Sequence, residues 1–475
     1  MDHKIVLGIA PTRRGGVFVN PDALRQKALL YTVLEELDLP NVELVDLEGI
    51  NEEGLLRGKE DVPGVIERFK ARGINALFFP HCNFGSEHSV AKVAAALGVP
   101  LLLWGPRDEA PEADGSRLRD TQCGLFATGK VLRRMNVPFT YLPNCRTRDP
   151  LFQKGLETFL SAANVVKEFR RARILQISVR PDDFWTMMCN EGELLEKFGI
   201  QIFPVSVSDL VQRVEALSKE NPASVQETVR YIYAHAEVKI DAAAVHRLAC
   251  LKVAMQKIAE ENDCTAVAIQ CWYSLQKTLG VMPCLANALL TEEGLPVACE
   301  TDIHGAISSI LLQAAGRGAS PSFFVDWSVR HPTAENGELL QHCGPWPLSL
   351  AKERPVVTRP FAFSENCPGA VVAECRGGEI TLLRFDGDHG EYGLLLGTAR
   401  GIVGPKNHGT YLWVEVPNWP KVESMIVKGP YVHHATGLHG NVLPVLYAAA
   451  DYLPQLRLDF FDEKQRQETE NSFFQ

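Results

Sequence analysis

The feature that most constrains this chain is a repeated alternation of unbroken apolar runs with segments of helical periodicity. In the first 170 residues the runs are KIVLGIA (4–10), VELVDL (42–47), INALFFP (74–80), VPLLLW (99–104) and FTYLP (139–143). Between them, 21–37, 63–72, 87–97 and 122–134 repeat apolar residues at the helical period. Strands without polar alternation are buried on both faces, so the pattern predicts a parallel sheet covered by helices on both sides. A helix over about 150–169 leads to a basic turn and a fresh strand, ARILQISV (172–179). The alternation then repeats with IQIFPVSV (200–207), CTAVAIQCW (264–272), PVACE (296–300) and FFVDW (323–327), separated by helical stretches such as 240–261 and 284–292.

Beyond Pro347 the character changes. Short strands are cut by Gly and Asp turns, then come TYLWVEV (410–416), SMIVKG (424–429) and a closing helix near 442–452. The expected fold is α/β: two doubly wound, flavodoxin- or Rossmann-like parallel-sheet domains over 1–170 and 171–347, then an antiparallel, barrel-like β domain over 348–475. The polar tail FDEKQRQETENSFF is expected to fray or to form an interface arm.

Composition narrows the function classes. With 46% hydrophobic and 22% charged residues, 475 residues supply several cores and exclude a disordered chain. A net charge of −10 without a Lys/Arg block argues against nucleic acid as partner. No apolar run approaches the roughly 18 residues of a membrane span, and the N-terminus lacks a signal-peptide apolar region, so a cytoplasmic protein is expected. Twelve cysteines without a C-x-x-C pair read as reduced thiols, neither a disulfide framework nor a thiolate zinc site. A nucleotide cofactor is not expected. The first βα turn, GIAPTRRGGVF, is not G-x-G-x-x-G, and it places two arginines where a dinucleotide needs glycine clearance.

The informative stretch is PVACETDIHGAISSILLQAAGRGASPSFFVDWSV. Glu300 ends one apolar strand and Asp326 lies near the end of the next, with a helix from Ile303 between. A strand–helix–strand crossover predicts parallel neighbours about 4.8 Å apart, with both carboxylates at the carboxyl edge where open α/β sheets bind ligands. Two carboxylates that close need a shared proton or an intervening cation, and hard divalent ions suit such oxygen ligands. Among 13 histidines, YVHHATGLHG supplies His433, His434 and His439, and LLQHCG supplies His342. Two carboxylates plus histidine would leave metal positions open to substrate oxygens. DGDHGE (386–391) lacks full calcium-loop spacing and reads as a hairpin turn.

CETDIHGAIS followed by FFVDW, with QCW (270–272) upstream and a His-Gly segment near the C-terminus, resembles the L-fucose/L-arabinose isomerase superfamily. GIAPTRRGGVF, HCNFGSE (81–87) and EKFGIQI (196–202) are similar to further segments of fucose isomerases. The resemblance implies a Mn²⁺-dependent aldose–ketose isomerase, with Mg²⁺ or Co²⁺ as alternative ions, acting through a cis-enediol. Glu300 and Asp326 would be metal ligands and acid/base pair, His434 a further ligand, and His342 occupies the place of an additional histidine ligand. The resemblance also implies a hexamer or trimer with sites between subunits. Arg13, Arg14, His81, Cys82, Asn83 and Phe84 would then contact substrate, as would Gln270, Trp272 and His433. Arg13 and Arg14, turned toward a substrate, would suit an anionic sugar such as the sulfonated hexose sulfoquinovose as well as fucose- or arabinose-type sugars are suited by the family's usual contacts. A metal-dependent sugar lyase or hydrolase and a non-catalytic sugar-binding protein remain the alternatives.

Overall fold

The structure, a computed structural model, describes residues 2–16, 18, 20–361 and 366–472. Val17 of GIAPTRRGGVF and Phe473 and Phe474 of the tail lie outside them. The chain divides into two compact units: Asp2–Lys167 with Pro444–Pro454 and 468–472, and Glu168–Leu443 with Gln455–Gln467.

The first unit is built on β1 (Ile5–Ile9), β2 (Val42–Val45), β3 (Ala76–Pro80), β4 (Leu101–Trp104) and β5 (Thr140–Tyr141). All are parallel, in the order β2-β1-β3-β4-β5. Successive side chains enter opposite cores. Ala76, Phe78, Leu102 and Trp104 pack with Phe152 and Leu156, while Leu77, Phe79, Leu101 and Leu103 pack with Val65, Phe69 and Val90. Burial on both faces is the physical reason that these runs are apolar without alternation.

The second unit begins with β6 (Arg173–Ile177) and β7 (Gln201–Val205). After a short β8 (Glu237–Val238) come β9 (Ala266–Ile269) and β10 (Val297–Cys299). β10-β9-β6-β7 form a second parallel sheet, covered by the apolar helix Ala242–Glu261. The remaining strands are β11 (Phe323–Arg330), β12 (Gly337–His342), β13 (Val356–Thr358), β14 (Ala370–Glu374), β15 (Glu379–Asp388), β16 (Glu391–Gly401), β17 (Thr410–Glu415), β18 (His434–His439) and β19 (Leu456–Phe460). Six of them, in the order β16-β15-β18-β11-β12-β17, pair antiparallel, and β17 pairs back with β16 to close a barrel. The fold class is thus the expected one, two parallel sheets followed by an antiparallel barrel. In DGDHGE, Asp388 pairs with Glu391 across His389 (φ 50°) and Gly390 (φ 80°), the left-handed pair that a two-residue hairpin requires.

The helix Ile303–Gly316 joins these layers. Every residue from Ile303 to Ala315 is buried, and the helix packs on β9 and β10 of the parallel sheet and on β15 and β18 of the barrel. An all-round apolar helix demands such a position.

Three local expectations are corrected. β11 is not a parallel neighbour of β10; it pairs antiparallel with β12 and β18 in the barrel. The intervening helix carries the chain from one sheet to the other, and an apolar run of that length fits either. SMIVK ends the helix Trp419–Lys428, with Gly429 as its C-cap; Trp419 and Val422 share a buried face and Pro420 sits in the first turn. The tail forms the helix Glu463–Asn471, and its Gln465 side chain accepts from the Thr398 N–H at 3.0 Å. No helix among the described residues is long and apolar enough to cross a membrane.

Candidate metal centre

Glu300 follows β10 at the point where the chain turns into the central helix. Its backbone is left-handed (φ 63°), as is that of Thr301 (φ 58°). Asp302 then caps the helix, accepting from the Gly305 N–H at 2.9 Å. Position 305 must be glycine for this approach, because a Cβ there would lie 2.5 Å from Asp302 Oδ2. The barrel supplies the partners. Asp326 on β11 and His434 on β18 are paired in register, and His342 ends β12, the other neighbour of β11.

His434, fully buried, is the hub. Its Nε2 lies 3.2 Å from Glu300 Oε2 and 3.3 Å from Asp326 Oδ1, and its Nδ1 lies 2.9 Å from Asp302 Oδ2. Ligand atoms of Glu300, His342 and His434 lie within 4.8 Å of one another, as do those of Asp326, His433 and His434. Three buried atoms of these residues, His434 Nε2, His342 Nε2 and Asp326 Oδ1, have no hydrogen-bond partner. Trp272 Nε1 donates to Glu300 Oε1 at 3.1 Å, fixing one oxygen and leaving the other toward His434.

The electrostatics ask for positive charge. Burial opposes a charged His434 ring, yet Asp302, Glu300 and Asp326 outweigh it and push its pKa up to about 10. Burial would likewise raise the Glu300 carboxyl, but the neighbouring His434 holds it below the usual carboxylate range. Two carboxylates and an imidazole with unpaired atoms fit a hard divalent cation, which would meet the charge that a proton on His434 otherwise supplies. A cleft of about 830 Å³, lined by Trp185, Glu191, Asp386, Tyr431 and His433, opens on one side. Another of about 680 Å³, lined by Gln176, Arg180, Gln270 and Thr301, runs along the carboxyl edge of the parallel sheet.

Residues 8–170 match the family model "Fucose/sulfoquinovose isomerase, N-terminal domain". The chain is 26% identical over 377 residues to the sulfoquinovose isomerase of Alkalicoccus urumqiensis, covering 78% of this chain and 82% of that one. It is 23% identical over 395 residues to the sulfoquinovose isomerase of Priestia aryabhattai (82% and 86%) and 24% identical over 390 to that of Clostridium sp. strain MSTE9 (79% and 84%). The chain is thus similar to fucose/sulfoquinovose isomerases over its first domain and to sulfoquinovose isomerases over most of its length. A periplasmic solute-binding protein from Actinobacillus succinogenes with bound D-allose aligns with 66% of this chain and 92% of its own, but its TM-score of 0.18 and 11% identity carry no argument.

The residues singled out from the sequence gather in different places. Glu300, Asp326, His342, His433 and His434 converge as described, and Trp272 joins them through Glu300. Gln270 accepts from Ser178 Oγ at 3.2 Å in the edge cleft. Arg13, Arg14, His81, Cys82, Asn83 and Phe84 form a cluster of their own in the first unit. Arg13 is spent on Glu53, which it grips through two nitrogens at 2.6 and 2.9 Å, so its guanidinium is already paired. The Arg14 guanidinium lies 4.0 Å over the Phe84 ring, and the Arg14 backbone N–H donates to Asn83 Oδ1 at 2.8 Å. His81 Nδ1 is 2.9 Å from the Phe84 carbonyl, and burial pushes the His81 pKa down to about 4 and the Cys82 thiol up to about 12.

Sequence reasoning passed over Asp302, His304, Arg384 and Asp386, all buried around His434. A signal existed for two of them. Asp302 directly precedes an apolar helix as a cap residue, and Arg384 interrupts the apolar strand ITLLRFDGD, where a charge needs a partner.

Proposed function

We propose that this chain is a Mn²⁺-dependent aldose–ketose isomerase whose site is formed by Glu300, Asp326 and His434. The observation that carries the reading is the convergence of two carboxylates with the unpaired Nε2 of a buried histidine. Glu300, Asp326 and His434 would hold the cation, with His342 beside them. When bound, such a cation supplies Lewis acidity toward neighbouring hydroxyl and carbonyl oxygens.

The chain's own residues account for the proton movements. One of Glu300 and Asp326 removes the proton α to the carbonyl of the open-chain sugar, giving a cis-enediolate, and returns it to the adjacent, former carbonyl carbon. The other moves a proton between the two oxygens. The two sit in different surroundings, Glu300 buried under the Trp272 N–H and Asp326 partly open to solvent, which separates their tasks. The names of the relatives favour sulfoquinovose, a sulfonated hexose, among fucose- and arabinose-type sugars. Arg180, in the edge cleft with Gln270, is a cation suited to the sulfonate. The same reading includes a homohexamer or trimer in which the Arg14–Phe84 cluster serves a neighbouring chain, to be checked by native mass measurement.

The test is incubation with sulfoquinovose, L-fucose and L-arabinose in D₂O with Mn²⁺. Isomerisation gives a ketose of unchanged mass apart from deuterium at the exchanged carbon. A fragment or hydrolysis product, or binding without turnover on all three, would overturn the reading.

A further inference from the structure

Behind His434 lies a buried chain of charges that the proton transfers leave unused. Arg384, at the middle of β15 and 1% exposed, donates from Nη2 to Asp302 Oδ1 at 3.2 Å and from Nη1 to Asp302 Oδ2. Its Nε donates to Asp386 Oδ2 at 2.8 Å, and Asp386 Oδ1 lies 2.8 Å from His304 Nδ1. Capping a helix needs one carboxylate oxygen and no arginine. Burying a guanidinium is costly, so its purpose is sought in what it holds. It holds Asp302 with one oxygen against His434 Nδ1.

The consequence concerns where each imidazole keeps its lone pair. A neutral ring carries one proton, and the partner of one nitrogen decides which nitrogen is left to accept. Asp302 is an acceptor, so His434 Nδ1 keeps the proton and Nε2 offers a lone pair to the point between Glu300 and Asp326. His342 is set the opposite way. Its Nδ1 accepts from the Cys343 N–H at 2.9 Å, which places the proton of the neutral ring on Nε2. That buried Nε2 has no partner, and a ring nitrogen of His342 lies within 4.8 Å of the ligand atoms of Glu300 and His434.

We propose that Asp302, held by Arg384, is the positioning residue that makes His434 a metal ligand, and that the Cys343 N–H makes His342 a hydrogen-bond donor to substrate oxygen and not a ligand. The inference rests on the metal-isomerase reading and assigns opposite roles to two histidines that composition and proximity treat alike. Outer partners of this kind, when removed, weaken metal binding by about 10- to 100-fold.

The experiment is calorimetric titration of the full-length protein with Mn²⁺ alone, without sugar. Asp302→Asn can keep the cap but ceases to force the Nδ1 proton, and it should bind Mn²⁺ about 10- to 100-fold more weakly while unfolding cooperatively near the wild-type temperature. His342→Gln retains an N–H donor and should bind Mn²⁺ within about threefold of wild type. If Asp302→Asn does not fold, the charge-balanced pair Asp302→Asn with Arg384→Met replaces it, with the same weakening expected. Wild-type affinity in the Asp302 variant, or a loss in His342→Gln as deep as in His434→Gln, overturns the inference. No Mn²⁺ binding by the wild type would instead remove the metal-isomerase reading beneath it.

Discussion

At the scale of single residues, Glu300 is held in a conformation that side chains avoid. It and Thr301 are consecutive left-handed residues, and Ser178 (φ 68°) and Tyr273 (φ 61°) repeat the feature after β6 and β9. Each such residue costs on the order of 1–3 kcal/mol and persists only where its surroundings enforce it. Here they gather at the carboxyl ends of three neighbouring parallel strands, beside Gln270 and Trp272. The chemistry assigned to Glu300 gives a direct expectation. Glu300→Gln keeps shape and the Trp272 contact but removes the base or acid, and turnover should fall by about 10²- to 10⁴-fold on every sugar accepted. A progress curve within threefold of wild type would rule out that role. Glu300 and Asp326 drew notice as carboxylates ending apolar strands, and His434 as part of a His-His pair. Asp302 and Arg384 could be marked only as a cap residue and a lone charge in a strand, since their importance lies in being bonded to each other across 82 residues.

Among the elements, the strands show what apolar pattern does and does not convey. The runs of the first unit announce a parallel sheet because both faces are buried. β11 carries the same kind of run, yet it is a barrel stave, and Asp326 reaches Glu300 through β18 and the central helix, not along a shared sheet. Pattern reports burial; pairing partners are set by the rest of the chain. β12 carries a consequence for stability. Burial raises the Glu338 carboxyl to about 7, and its Oε2 has no hydrogen-bond partner. A folded pKa above the unfolded value means that the contribution is fully present below the unfolded pKa, near 4.3, and is lost as pH rises through about 7. Glu338→Gln should remove that slope and be more stable than wild type at pH 8 by on the order of 1–2 kcal/mol, after discounting for partial solvation. Thermal melts at pH 5 and pH 8 decide it: parallel behaviour of the two proteins would show that Glu338 carries no such load.

For the whole molecule, the fold class was readable because three runs of pattern, two helical-alternating and one turn-rich, follow one another along the chain. The assembly of the site was less so, since its converging side chains come from the turn after β10, from β11 and from the much later β18. A cation that ties these segments together binds the folded state and not the unfolded chain. At free Mn²⁺ about 100 times its dissociation constant, unfolding should become harder by about 2.7 kcal/mol, and chelation should reverse the gain. Identical melting curves with Mn²⁺ and with chelator would argue against a folded-state site.

The closure of the barrel also sets an order of events during synthesis. β18 lies between β15 and β11, yet it is the last of the six staves to leave the ribosome. Until residues 434–439 emerge, the strands on either side present unpaired edges and the central helix lacks one of its walls. The stave that seals the gap is the one that begins with His434. Barrel and side-chain cluster are therefore completed in the same step.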